Sequence, residues 1–455
     1  MGEWTETAFR FLVEMSPKDN HENLFPLSSS DYLGFFFATL GLLVAAGGGV
    51  GGGGILIPIY ILVLHFSPKE AIALSSVTIF GGAVANMIVN SQKRHPFADR
   101  PLVDWDLVLM MEPSTIAGAL IGTFINKLLD EHILVAMLVL LLSATAYETL
   151  DKSCKLFDAE TRTMKASESS NMLVSQNDNE SQLDTEKLER LPLMNGKQTS
   201  YSKDHDAEHL PTNDELVQLL EDEKKAPIIN IFLLIIIFVV VLMINIAKGG
   251  GDFKSPLGIT CGSLSFWIVN AFMLLWIIVI SLQGRNYLIR RFELKRRLSY
   301  CYVEGDIQWD ERSTITYPLI CTVAGLFAGM FGIGGGIVKG PLMLMMGVHP
   351  AVASATSACM ILFTSTTAST SYLVFGLMPI DYCLLCLTIG FLATLVGQLA
   401  LVFLMKQFNR SSFIAFSIGF VVLLSAILMT LQSVISLMRG NRHFSGGICG
   451  KDYTL

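Results

Sequence analysis

Two glycine-rich stretches hold the residues whose types and spacing could do chemistry. Residues 47–58 read GGGVGGGGILIP and residues 332–341 read GIGGGIVKGP, and each interrupts an apolar segment. Without a Cβ, Gly51, Gly52, Gly53 and Gly54 in the first stretch, and Gly334, Gly335 and Gly336 in the second, can turn sharply and aim several backbone N–H groups at one point. The apolar arms that begin at Ile55 and Ile337 would add the positive ends of two helix dipoles, which suits a small anion. Close helix packing through small residues is the plainer reading of such glycines, but four in a row ahead of a half-length arm exceed what packing requires. Hydroxyls follow both stretches: Ser75, Ser76 and Thr78 after the first, and Ser354, Thr356, Ser357, Thr364 and Ser371 after the second. Positions 357, 364 and 371 share one helix face and would either complete a polar shell or bond between helices, as would Asn86 and Asn90.

Composition sets where this chemistry happens. The chain has 455 residues, 52% of them hydrophobic and 16% charged, and a mean hydropathy of +0.53. That balance reads as an integral membrane protein, where backbone without a helix is tolerated only if protein or a cavity satisfies it. The net charge of −7 arises from polar tails and one loop, and no basic patch interleaved with aromatics suggests nucleic acid. Eight cysteines are scattered without spacing that would frame a disulfide-stapled ectodomain; Cys383 and Cys386 form CxxC inside an apolar run and read as small membrane-helix side chains. His65 and His349 close the short arms and mark an interface, and His95 lies in a basic loop, so no metal site is expected. No Ser/His/Asp set, P-loop or dinucleotide fingerprint is present, so neither enzyme activity nor a cofactor is expected.

The elements follow from the apolar runs. A polar tail (1–30) lacks the basic start of a secretory signal, and Glu6 stands where myristoylation needs Ser or Thr. Residues 31–150 form a first membrane repeat with segments at 31–46, 55–64, 71–90, 105–125 and 133–150. Residues 151–226 are polar and read as a disordered or loosely helical cytosolic loop ending in a short amphipathic helix at 213–225. Two connecting spans (227–283) and a basic loop (284–314) lead to a second repeat (315–438) and a tail (439–455). Gly51, Gly52, Gly53 and Pro58 align with Gly334, Gly335, Gly336 and Pro341, and Pro68 and Ser75 align with Pro350 and Ser357, as an internal duplication would produce.

Each arm after a glycine break has about ten residues, or about 15 Å of helix, half the hydrocarbon thickness. A re-entrant hairpin with its tip at mid-membrane accounts for this. It also places the loops containing Lys93, Arg94 and Arg100, the cluster Arg290 to Arg297, and Lys406 with Arg410 on the cytosolic side. The two halves are then inverted and both termini lie outside, leaving the sequons at Asn179 and Asn409 on the cytosolic side. Counting each broken segment as one crossing gives parallel halves instead, with Lys406 and Arg410 outside. The fold class expected is an all-α polytopic membrane protein of two inverted repeats, each with a glycine-broken re-entrant or discontinuous helix followed by transmembrane helices.

GGGVGGGGILIP followed by SPKEAIALSS, then QKRHPFADRPLVDWDLVLMMEP, and later GIGGGIVKGPL with ASATSACMILFTS, together resemble the TauE/SafE family of sulfite and organosulfonate exporters. The likeness is to its plant and protist branch, in which an RHP…P-x-[IV]-D-[YW]-D-L stretch follows the second helix; here it is Arg94, His95, Pro96, Pro101, Val103, Asp104, Trp105, Asp106 and Leu107. It covers residues 32–150 and 317–426. The resemblance implies a transporter of small sulfur-containing anions, in the plasma membrane or an endomembrane. Two residues depart from the family's usual pattern: Lys339 in the second short arm, where an apolar residue is usual, and Glu112 in the segment from Trp105, where an uncharged one is usual.

These departures sharpen the expectation. A charge in a membrane segment costs at least about 2.5 kcal/mol on insertion scales, so Lys339 needs a partner or a wet cavity, and it is too near the glycine tip to reach the interface. It should face the centre and pair with Glu112 until an anion displaces the carboxylate. On this reading Lys339→Leu weakens anion affinity with folding nearly intact, and Glu112→Gln tightens binding or slows release. The substrate-binding set is therefore Gly51 to Gly54, Ser75, Ser76, Gly334 to Gly336, Lys339, Ser357 and Thr364, with Glu112 for gating or coupling. The partners expected are a small anion, the lipid bilayer and, as an open option, a second copy of the chain. A proton- or sodium-coupled permease for another anion or an organic acid, and a scaffold or receptor displaying residues 151–226, are the alternatives.

Overall fold

The structure is a computed structural model that describes residues 26–46, 51–177, 213–225, 227–250, 255–303, 305–408 and 412–438. Among them the chain forms thirteen helices: α1 (Ser29–Ala46), α2 (Gly53–Leu62), α3 (Pro68–Asn90), α4 (Trp105–Leu128), α5 (Glu131–Asn177), α6 (Asn213–Lys224), α7 (Ile228–Lys248), α8 (Leu264–Arg297), α9 (Ser313–Phe331), α10 (Gly336–Met345), α11 (Pro350–Val374), α12 (Ile380–Phe408) and α13 (Ser412–Met438). Nine of the described helices are long and apolar enough to cross a membrane, and α2 is a shorter apolar helix. The expected all-α polytopic architecture is what the chain forms.

Local signals start the spanning helices. Ser67 and Glu70 make a capping box at α3, the Asp104 carboxylate accepts from the N–H groups of Asp106 and Leu107 at α4, and the Ser263 hydroxyl accepts from Phe266 N–H at α8. The two short helices start differently. Gly52 precedes α2 at φ 74° and Gly335 precedes α10 at φ 75°, both in the left-handed region where a side chain is strained, and no side chain caps either helix.

The first broken pair folds back on itself. A Cβ on Gly34 would lie 2.5 Å from Leu64 Cδ2, and one on Gly41 2.6 Å from Ile55 Cγ2, so α2 runs antiparallel along α1 and the chain leaves α2 where α1 began. In the second half, a Cβ on Gly305, ahead of α9, would lie 2.9 Å from His349 N, just after α10. That end also holds the loop after α3, since His349 packs on His95 and Phe97. Because α3 runs from the end where α1 starts to the end where α9 starts, the two breaks are entered from opposite ends of the bundle.

Each half walls the other's broken helix: α4 packs on α9, α12 on α1 and α3, and α3 on α11. The α4–α9 contact is backbone-close, because side chains on Gly118, Gly122, Gly325 or Gly329 would overlap the facing main chain. One apolar core surrounds α2 and α3, and another joins α4, α8, α10 and α11.

Two expectations need correction, and one cysteine acquires a partner. The helix expected to end near Leu150 continues to Asn177, because Glu148–Lys152 and Asp151–Lys155 form i,i+4 pairs and Leu150 and Phe157 pack on Gly419 and Phe416 of α13. The basic cluster Arg290 to Arg297 lies on the extended end of α8 rather than in a loop, which begins after it. Cys261, one of the scattered cysteines, is disulfide-bonded. The amphipathic helix expected at 213–225 forms as α6. The side chains of Lys406 and Arg410 and the sequons at Asn179 and Asn409 lie outside the described residues.

Candidate anion-binding site

The two glycine breaks meet near the centre of the bundle. A Cβ on Gly53 would come 2.5 Å from Ile333 Cα. Ile79 of α3 and Ile361 of α11 cover both breaks: a Cβ on Gly51 would lie 3.3 Å from Ile361 and 3.6 Å from Ile79, and one on Gly334 would lie 3.0 Å from Ile79 and 3.2 Å from Ile361. Gly54 and Gly336 are buried in the first turns of α2 and α10. The cavity beside the first break, lined by Gly51, Ile79, Asn86, Ile361 and Thr394, has about 10 Å³, room for no more than about one water. In this conformation the meeting point is therefore closed.

The hydroxyls divide between structure and site. Ser75 Oγ donates to Gly332 O at 2.9 Å, pinning α3 to the second break, whereas Ser76 Oγ bonds back to Ile72 O at 3.2 Å. Ser357 is fully buried and its Oγ has no hydrogen-bond partner among the described residues. Thr356 Oγ1 accepts from Asp104 N–H at 3.1 Å and Ser371 Oγ from Asn245 Nδ2 at 3.0 Å, so those two bond between elements. Asn86 Oδ1 is unpartnered at the small cavity.

The charged residues converge at the second break. Lys339 Nζ lies 2.8 Å from Glu112 Oε2 and donates to Thr364 Oγ1 at 3.0 Å; Thr364 Oγ1 stands 3.1 Å from Glu112 Oε1, and neither Lys339 nor Glu112 is exposed at all. Side chains lean toward a helix's N-terminus, and Lys339 does so here: a Cβ on Gly335, four residues earlier, would lie 3.4 Å from its Cε. A carboxylate is thus held by an ammonium beside the N-terminal tip of α10, where negative charge is favoured. A tetrahedral oxyanion offers the same charge and acceptor oxygens, so it could exchange with Glu112 on Lys339 and Thr364.

Two polar residues that sequence reading passed over tie the breaks in place. Asn126 Nδ2 of α4 donates to Met330 O at 2.7 Å, and Gln398 Nε2 of α12 donates to Ala46 O at 2.7 Å. Each satisfies a carbonyl in the last turn of the helix leading into a break. Asn126 and Gln398 stand at the same spacing as Gly118 and Gly390, so the register of the duplicated helices was the signal that could have found them. Cys383 and Cys386 are free, Cys386 accepting from Tyr60 OH at 3.8 Å.

Known proteins resemble the chain along most of its length. The family model for sulfite exporter TauE/SafE matches residues 33–285 and 317–449. Sulfite exporter TauE/SafE family protein 5 of Arabidopsis thaliana is 27% identical over 407 residues, 89% of this chain and 83% of that protein. Family protein 2 of the same plant is 26% identical over 454 residues, 96% of this chain and 90% of that protein. No solved structure matches the chain significantly. With both glycine breaks inside the matched residues, and the match running through most of the chain, this polytopic membrane protein belongs to the TauE/SafE family.

Proposed function

We propose that the protein carries a small sulfur-containing anion across the membrane and receives it at the second helix break. The observation that carries this reading is the fully buried Lys339–Glu112–Thr364 cluster, in which an internal carboxylate occupies the place that an oxyanion would take. Two short helices with uncapped, glycine-led N-termini add backbone donors to the same centre. The name that the family and its relatives carry makes sulfite the first substrate to test.

Alternating access suits the architecture. The opposed entry of the two breaks supports inverted repeats rocking about a central site, and the closed meeting point fits an occluded conformation. The end that holds Arg94, Arg100, Arg291 and Lys295 is the more basic, which supports a cytosolic assignment for it; the disulfide-bonded Cys261 precedes α8 at the other end, which suits an oxidising compartment. When an anion displaces Glu112, the carboxylate must gain a proton or move toward water, which makes Glu112 the residue through which proton coupling would act.

The test is flux through the purified protein in liposomes with sulfite, sulfate, thiosulfate, taurine and sulfoacetate. Saturable transport of at least one of them is expected, and its loss in a Lys339→Leu/Glu112→Leu double variant. Absence of transport across the whole panel would overturn the reading.

A further inference from the structure

A second, larger cavity of about 90 Å³ opens at the basic end of the bundle, between the start of α4, the end of α8 and the last turn of α6. A water needs only about 10–15 Å³, so this space admits a small oxyanion with water around it. It sits over the buried cluster. Asp104 and Val352 line it, Asp104 N–H bonds Thr356 Oγ1, and eight residues further along α4 and α11 stand Glu112 and Thr364, about 12 Å deeper. Val108, Met111, Cys359 and Met360 fill the distance between and seal it.

The basic wall of this cavity is occupied by one residue of α6. Glu223 Oε1 lies 2.5 Å from Lys295 Nζ and 3.4 Å from Arg291 Nη2, while Tyr300 OH donates to Glu223 Oε2 at 2.5 Å. Arg291 also holds Asp106 at 3.0 Å, and Arg100 is bound to Asp306. Among the described residues little else attaches α6. No residue of α6 whose side chain is described is fully buried, Leu216 and Leu219 are half-buried, Val217 and Leu220 are exposed, and the other tie among the described residues is Arg94 Nη1 donating to Lys224 O at 2.8 Å. A helix whose described ties run mainly through one carboxylate, and whose Leu216 and Leu219 are only half-buried, is set to detach when that carboxylate is replaced.

We propose that this cavity is an anion-receiving vestibule, and that Glu223 is a tethered competitor on Arg291, Lys295 and Tyr300 which a free small oxyanion displaces, releasing α6. The carboxylate and an oxyanion satisfy the same donors, one bidentate-capable guanidinium, one ammonium and one phenol. The polar loop that α6 ends thereby reports the anion concentration at this face. The binding step stands on the geometry above; its use as an entrance rests on the anion-carrier reading.

The test places nitroxide labels through thioether links at Leu220→Cys and Leu294→Cys in the full-length protein in nanodiscs, with the exposed thiols Cys154 and Cys301 changed to Ser. Electron–electron distance distributions are recorded while inorganic sulfate replaces chloride at fixed ionic strength. A single short distance is expected in chloride, its loss on sulfate titration, and its loss without sulfate in Glu223→Gln. A distribution unmoved by sulfate while Glu223→Gln releases α6 overturns the proposal, as does a Glu223→Gln variant that stays docked. Release by sulfate in a protein with no liposome flux rejects only the carrier reading, and flux with α6 unmoved by sulfate rejects only the vestibule.

Discussion

Lys339 and Glu112 are 227 positions apart, one in each half of the chain, yet their charged atoms meet at 2.8 Å with neither side chain exposed. This burial changes what substitution does. Removing one partner of a buried pair strands the other and costs about 3–5 kcal/mol, whereas replacing both by apolar residues is often neutral or stabilising. Lys339→Leu alone should therefore lower thermal stability in detergent, contrary to the expectation of nearly intact folding, while Lys339→Leu/Glu112→Leu should fold and lack transport. Glu112→Gln keeps a hydrogen-bonding partner for Lys339 and should tighten anion binding or slow release, measured by isothermal titration and flux.

The left-handed glycines at the tips give a second prediction. Gly52 and Gly335 hold φ of 74° and 75°, where any L side chain costs about 1–2 kcal/mol and a β-branched one more. Gly335→Val should abolish flux even in protein that reaches its membrane, and Gly335→Ala should reduce it less. Normal flux in well-expressed Gly335→Val would remove the tip from the site.

The amide caps predict matched defects in the two halves. Asn126→Leu and Gln398→Leu each leave a buried carbonyl, Met330 O or Ala46 O, without its donor, at about 1–3 kcal/mol. Both variants should melt earlier, and amide exchange should quicken in the last turn of the affected helix. Equal protection in both variants and the parent would show that the caps add nothing.

Asp104, outside the spanning part of α4, sets a pH dependence. Burial, and next the neighbouring Asp106 charge, raise its pKa from 3.8 to about 6. An acid whose pKa is higher folded than unfolded favours the fold below its unfolded pKa, and this contribution falls as pH rises through the window between the two values. Asp104→Asn keeps a capping oxygen and loses the charge, so it should flatten stability between about pH 4 and pH 6. A parent and variant with parallel profiles there would contradict the assignment.

Topology is checked with tags. Labels at residue 1 and residue 455 should report the non-cytosolic side, and a label at residue 200 the cytosol, with Asn179 and Asn409 unglycosylated. A cytosolic first residue would rule out re-entry of the first break.

Much of the framework was legible in the chain because membranes restrict structure to a few solutions. Apolar runs of spanning length had to be helices, and a ten-residue arm after glycines could not cross. The duplicated Gly–Gly–Gly and Pro spacing announced two equivalent breaks, and the one lysine inside a short apolar arm needed a partner. Glu112 could be named as that partner because it was the one acid deep in another span.

Contacts between distant segments could not be obtained this way. That Ile79 and Ile361 close over both breaks, that Asn126 and Gln398 cap the broken helices of the opposite half, and that Glu223 lies on Arg291 and Lys295 all depend on how helices from separate parts of the chain rotate against one another. Periodicity states which face of a helix is apolar, but these helices are apolar nearly all round, so hydropathy leaves their rotation open. Backbone-close glycine packing at Gly118, Gly122, Gly325 and Gly329 sets that rotation for α4 and α9, and only the folded bundle reveals which surfaces come close enough to use it.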